Sequence, residues 1–268
     1  MIQFFPDRLL GQLAGGIAHD FNNLLGAILG FAGLIRQDVP EGSAAKRFAE
    51  RILDACERGK ELILQIRTFT RAEVSKRQVV DLAHFLRQNE SLFSASLPKS
   101  TRLRILPYAG SLRVMGSETM LGQLVANLCI NASEAFGGRE GEVKVGVGYA
   151  GTGEIGKPAS GPGERLIGDI DSSREYVCLT VADEAGGMPE DVLDHIFEPF
   201  FTTKGRQRGT GLGLAVVRGV VESHGGACHV KTRLGQGTVF SIYFLLYTGP
   251  MERGEKAARP EPARGKER

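Results

Sequence analysis

The chain has 268 residues, 42% of them hydrophobic and 24% charged, with a formal net charge of +2. That balance suits a globular protein of two modest domains, gives no reason to expect a nucleic-acid partner, and contains no run near the ~18 apolar residues of a membrane span. The N-terminus lacks a basic segment leading into an apolar core, so the chain reads as cytoplasmic, and Cys56, Cys129, Cys178 and Cys228, scattered without paired spacing, read as core residues in a reducing compartment.

The first predicted element is a helix, because Leu10, Leu13, Ile17, Phe21, Leu24, Ile28, Phe31 and Ile35 recur every three or four positions. At about 100° per residue, His19 points roughly 140 to 200° away from Ile17, Phe21 and Leu24, towards solvent. An exposed His beside a carboxylate is a candidate nucleophile: Asp20 fixes the tautomer of the ring and raises the basicity of the free nitrogen. Asn23 shares roughly the same face one turn later. Pro40 and Gly42 then mark a turn, and Ser43 caps a second helix. In that helix Phe48, Ile52, Ala55, Gly59, Leu62, Ile66 and Phe69 form a heptad seam. Two antiparallel helices of about thirty residues expose too much apolar surface to stand alone, so the hairpin is expected to pair with a second copy as a four-helix bundle, making the protein a homodimer. Arg71 to Arg77 reads as a linker.

Beyond it the periodicity is mixed. The sequence predicts a strand at 77–81, a helix at 82–96, strands at 101–107 and 111–115, and a long helix at 117–136. Strands at 142–149 and 175–182, a helix at 211–224, and a hairpin of strands at 227–233 and 238–246 follow. Helices interleaved with mixed strands make the second region an α/β sandwich, three helices on one mixed sheet, so the whole chain is α+β. Ala150 to Ser173, glycine-rich with Pro158 and Pro162, reads as a mobile surface insertion, and residues 249–268 as a disordered tail.

Four clusters in this region carry chemistry. Asn127 and Asn131, at i and i+4, set two amides on one helix face, with Leu124, Leu128 and Ala135 towards the core; such neutral oxygens suit a Mg²⁺ that also binds phosphates. Asp183 ends an apolar strand just before Gly186 and Gly187, placed to accept a hydrogen bond from an exocyclic base amine. Gly209, Thr210, Gly211, Leu212 and Gly213 open a helix, where backbone N–H groups and the helix dipole favour phosphate. The preceding run from Phe197 to Arg206 combines aromatic anchors with Lys204 and Arg206 and reads, with Arg208, as a lid over a polyphosphate. Finally, the Gly235-Gln236-Gly237 turn delivers Thr238, a further polar contact to a base.

The order and spacing of these elements resemble the transmitter core of sensor histidine kinases. His19 to Asn23 looks like the phospho-acceptor box, Asn127 to Ala135 the N box, and Asp183 to Met188 the first glycine box. Phe197 to Lys204 is similar to the F box and Gly209 to Leu214 to the second glycine box. Leu13 to Asn23 most resembles the acceptor segment of bacterial hybrid kinases. The resemblance covers about Leu10 to Phe244 and implies a dimerisation and phospho-acceptor hairpin over 1–75 and a GHKL-type ATP-binding domain over 76–248. It further implies ATP with adenine at Asp183, Mg²⁺ on Asn131, and phosphates held by the lid and the Gly209 loop. Asp20 is then base or orienter for His19, and Asn23 stands where the family orients water for the reverse, phosphatase reaction. The product phosphohistidine implies a receiver-domain aspartate as the next acceptor.

Two positions depart from the family pattern. Ala185 replaces the first glycine of the first glycine box, where a positive φ would cost it on the order of 1 kcal/mol and its methyl would crowd a purine. Leu24 stands where many members carry Pro, so no kink is expected there. Glu184 adds a negative charge nearby. Ala185 keeps open a rival reading, a non-catalytic phosphotransfer or scaffold protein, or a phosphatase, with a degenerate ATP site. An ATPase of the gyrase or heat-shock type and an anti-sigma serine kinase share the nucleotide fold, but neither accounts for His19 on a hairpin.

Overall fold

The computed structural model describes residues 24–53, 55–56, 59, 77–151, 161–203 and 210–249. Helix α1 covers 24–38, with Leu24 in it, and helix α2 begins at 44. Their turn follows its sequence: Gly42 takes φ +74°, and Ser43 Oγ accepts the Lys46 N–H at 3.1 Å at the head of α2. The buried positions here are small ones, Ala32, Ala49 and Cys56, and a Cβ on Gly59 would lie 3.0 Å from Leu25 Cδ1. The described large residues of the two predicted apolar stripes stay uncovered instead: Phe31 is 68% exposed, with Leu24, Ile28 and Ile35 also open on α1, and Phe48 is 62% exposed, with Ile52 also open, in the seam of α2, whose Leu62, Ile66 and Phe69 lie outside the described residues.

The second region contains β1 (Gln78–Asp81), α3 (Leu82–Ala95), β2 (Thr101–Ile105), β3 (Arg113–Gly116), α4 (Glu118–Ala135) and β4 (Gly141–Ala150). These are followed by β5 (Glu164–Ile167), β6 (Tyr176–Asp183), the short α5 (Glu190–Leu193), α6 (Gly213–Ser223), β7 (Ala227–Arg233) and β8 (Gly237–Leu245). A six-stranded sheet runs β2-β4-β6-β8-β7-β5, parallel only between β2 and β4; β1 and β3 form a separate antiparallel ribbon. Tyr247 N–H, donating to Arg113 O at 2.8 Å, ties that ribbon to the chain leaving β8.

Alternation along the strands selects the face that the helices cover. Val177, Leu179 and Val181 of β6, Phe240, Ile242 and Phe244 of β8, and Cys228 and Val230 of β7 are buried in one core with Phe85 and Phe93 of α3, Leu121, Leu124 and Leu128 of α4, and the valines of α6. Val216, Val217, Val220 and Val221 lower the intrinsic helix propensity of α6, so its helical state depends on this packing. His224, at the end of α6, fixes it to the start of α4: Ser117 N–H donates to Nε2 at 3.2 Å, which puts the ring proton on Nδ1, 2.8 Å from Val220 O. Burial lowers the pKa of His224, in keeping with that neutral ring.

Several expectations need correction. The glycine-rich segment after β4 is not loop throughout, since 164–167 form edge strand β5 against β7. Ala135 is exposed rather than directed to the core, because the phase of α4 turns Ala132, Ser133 and Phe136 inward and leaves Glu134 and Ala135 on the outer side. Cys56, Cys129 and Cys228 are buried, whereas Cys178 is half-buried on the sheet face opposite the helices; all four are free. No helix among the described residues is long and apolar enough to cross a membrane. The acceptor segment with His19, Asp20 and Asn23, the linker over 71–76, Lys204, Gly209 and the tail from 250 lie outside the described residues.

Candidate functional site

The site lies where α4 and α6 meet beside β6. At one end Asp183 closes β6 on the helix-covered face, 6% exposed and opposite Thr238 of β8 in the strand register. Its Oδ1 accepts the Ala185 N–H at 2.9 Å. Desolvation raises its pKa above the ordinary 3.8, and the backbone N–H groups of Ala185 and Thr238 pull back part of that shift. A buried carboxylate with a free acceptor position suits a ligand that brings a donor, such as a base amine.

The other end is built to take negative charge. Asn127 and Asn131 sit one turn apart on α4, and the Nδ2 of each is buried without a hydrogen-bond partner among the described residues. Such orphaned groups cost about 1–3 kcal/mol each unless a ligand satisfies them. A Cβ on Gly213 would stand 3.5 Å from Asn131 Nδ2 and 3.9 Å from Asn127 Oδ1, so both amides face the first residue of α6. Among the described residues no side chain caps α6, and Leu212 N–H donates to Thr210 Oγ1 at 3.3 Å. Uncapped N–H groups, the positive end of the helix dipole and two unpartnered amides make one anion-binding surface. An Asn amide presents an acceptor at one end and a donor at the other, so Asn131 also fits a cation bridging phosphates.

The described start of the segment expected as a lid is tied to the loop before α6. Phe200 N–H donates to Gly211 O at 2.9 Å, and Gly211, at φ +65°, has no room for a side chain, since a Cβ would lie 2.4 Å from the Phe200 carbonyl carbon. Phe197 is buried and anchors the segment, whereas Phe200, with a left-handed φ of 69°, is 69% exposed and anchors nothing within the described residues.

The glycine box differs from expectation at one residue. Ala185 does not have a positive φ; among the described residues only Phe200 does so without being glycine. The Ala185 methyl joins the hydrophobic core, and Gly187 takes the left-handed position at φ +65°. Glu184 faces solvent and pairs with Lys144 at 2.6 Å. Sequence reasoning missed Thr232 of β7, whose Oγ1 accepts the Met188 N–H at 2.9 Å and touches Thr238. The available signal was parity: Cys228, Val230 and Thr232 alternate inward, which puts a hydroxyl on the covered face.

Comparison with known proteins agrees with this geometry. Residues 116–248 match the family model of histidine kinase-, DNA gyrase B- and HSP90-like ATPases, and residues 9–74 that of the His Kinase A (phospho-acceptor) domain. The chain is 32% identical over 268 residues to the sensor kinase CckA of Brucella abortus, covering 100% of this chain and 27% of that protein. It is 30% identical over 235 residues to the sensor histidine kinase ZraS of Salmonella typhimurium, covering 87% of this chain and 45% of that one. The chain thus spans less than half the length of these curated relatives. Its fold is similar to that of full-length ShkA in complex with AMPPNP, with a TM-score of 0.64 at 23% identity over 90% of this chain and 47% of that one. It is also similar to that of ThkA in complex with the response regulator TrrA, with a TM-score of 0.55 at 21% identity over 89% and 62% of the two chains.

Proposed function

Since this chain belongs to the sensor histidine kinases and carries their transmitter core, we propose that it binds ATP between α4, α6 and β6, phosphorylates His19, and passes the phosphoryl group to a receiver-domain aspartate. The observation that carries the reading is the pair of orphaned amides on Asn127 and Asn131 facing the uncapped start of α6, together with Asp183 buried at the end of β6, the strand α4 packs on. Asp183, with Thr238 beside it, takes the adenine amine, and Gly187 lets the glycine box that follows Asp183 close onto the end of β7. Asn127, the backbone of Thr210, Gly211, Leu212 and Gly213, and Lys204 and Gly209 of the lid hold the phosphates. Mg²⁺, when held by Asn131, supplies neutralisation of phosphate charge.

Phosphoryl transfer is mostly positioning and charge stabilisation. The free imidazole nitrogen of His19 forms a bond to the γ-phosphorus, the bond to the bridging oxygen breaks, ADP leaves with that oxygen, and Asp20 accepts the ring proton. Asn23, at the position where the family orients water, would serve the reverse, phosphatase reaction. The scaffold reading leans on Ala185, and the ordinary backbone there, with the methyl in the core, favours the kinase reading over it. Incubation with γ-labelled ATP and Mg²⁺ is expected to give acid-labile, base-stable label on the protein; label with the opposite lability, or none with ATP bound, rejects histidine phosphorylation.

Dimerisation is part of the same proposal. Leu24, Ile28, Phe31 and Ile35 form a continuous uncovered face on α1, and Phe48 and Ile52 one on α2, which a second copy would bury. Phe31→Glu puts a charge into that seam and is expected to cost ~3 kcal/mol of association, raising the dimer dissociation constant about a hundredfold. Sedimentation equilibrium checks this, and an unchanged dimer would place the interface elsewhere.

A further inference from the structure

Asp183, Thr238 and Thr232 lie side by side across β6, β8 and β7, paired in register and all buried on the helix-covered face. Thr232 Oγ1 is at the centre of three contacts: it accepts the Met188 N–H at 2.9 Å, donates to Gly237 O at 3.2 Å, and lies 3.0 Å from Thr238 Oγ1. A hydroxyl has one proton. The Gly237 carbonyl can only accept; with the Thr232 proton directed to it at 3.2 Å, the 3.0 Å contact is completed by the Thr238 hydroxyl donating towards Thr232. Thr238 therefore turns only lone pairs towards the site. Together with the Asp183 carboxylate, the wall offers acceptors and no side-chain donor.

We propose that Thr232 is a positioning residue that sets the hydrogen-bond direction of Thr238 and thereby makes the site select 6-amino over 6-oxo purines. The inference rests on the nucleotide reading of the site and adds to it a residue set back from the ligand. With both acceptors at position 6, a 6-amino group gives one of its two N–H bonds to each. A 6-oxo purine brings an acceptor against them, and a buried group left unmatched is costly. With Thr232 replaced by Val, the Thr238 hydroxyl is released to rotate and donate into the site, so the 6-oxo ring is tolerated while the 6-amino ring loses part of its advantage.

The test compares ADP with IDP, which differ at the 6-position, by displacement of a fluorescent nucleotide from the whole protein. Thr232→Val is expected to lower the ratio of ADP to IDP affinity about tenfold, by weakening ADP and strengthening IDP, and Thr232→Ser to restore it. Thr238→Val, which removes the relayed hydroxyl itself, is expected to lower the ratio likewise and covers the case in which Thr232→Val fails to fold. A wild-type ratio in either folded Val variant overturns the proposal, even if both nucleotides bind more weakly, because a purely structural role would move both together. Absence of ADP binding to the wild-type protein would instead reject the nucleotide reading on which the proposal stands.

Discussion

Asp183→Asn and His19→Ala are both expected to leave the protein without acid-labile label, by opposite routes that a binding measurement separates. In Asp183→Asn the side-chain oxygen keeps the Ala185 N–H, now 2.9 Å from Asp183 Oδ1, and this turns the new NH₂ group towards the purine amine. Donor then faces donor, and nucleotide affinity falls about a hundredfold, the size of a lost charge-assisted hydrogen bond. His19→Ala leaves affinity unchanged and removes only the acceptor. Calorimetric titration with ADP decides the matter: equal affinity in Asp183→Asn and wild type would take Asp183 out of the site.

The same substitution carries a pH signature with a fixed sign. The folded-state pKa of Asp183 is raised by burial, so the folded protein holds the proton more tightly than the unfolded chain. The cost of burying the carboxylate is absent below its ordinary 3.8, grows as pH rises to the raised folded value, and is complete above it. Asn carries no charge to bury. Asp183→Asn is therefore expected to melt above wild type at neutral pH, with the advantage vanishing as pH falls towards 3.8. A site that holds a destabilising charge in the absence of ligand is one kept for binding, and the melting difference would display that directly.

The Asn pair, Asp183 and the glycines before α6 could be read from the sequence because each is a short contiguous pattern whose chemistry follows from spacing alone. What escaped depends on partners distant in the chain. Strand β5 is four residues inside a glycine-rich stretch and is a strand because β7 offers it an edge, which no local pattern reports. Thr232 alone in a β-rich run reads as ordinary strand composition; it gains meaning when the β7–β8 hairpin sets it against Thr238 and Met188. Uncovered Phe31 and Phe48 fit the periodicity, but their burial needs surface that one hairpin lacks. Within the glycine box the sequence supplies the glycines without saying which has the left-handed backbone, so the concern attached to Ala185 belongs at Gly187.

Gly187→Ala and Ala185→Gly should therefore differ sharply although each exchanges the same methyl group. A Cβ on Gly187 would lie 2.1 Å from Arg233 O and 2.6 Å from its carbonyl carbon, at a φ of +65°. The loop has little freedom to retreat, because Gly235 N–H holds Gly186 O at 2.8 Å and Met188 N–H is held by Thr232 Oγ1 at 2.9 Å. Relief must separate the glycine box from the end of β7, breaking the contacts that align Thr232, Thr238 and Asp183. The expected cost is ~3 kcal/mol or more of stability, from backbone strain and overpacking together, with nucleotide binding lost. Ala185→Gly only withdraws a methyl from the core and frees an ordinary backbone, at about 1 kcal/mol, with nucleotide affinity within about twofold of wild type. Thermal melting and ADP titration of the two variants check this. If Gly187→Ala melts with wild type, the close approach of the glycine box to β7 is not what shapes the purine wall; if Ala185→Gly binds nucleotide much more tightly, the methyl obstructs the site after all.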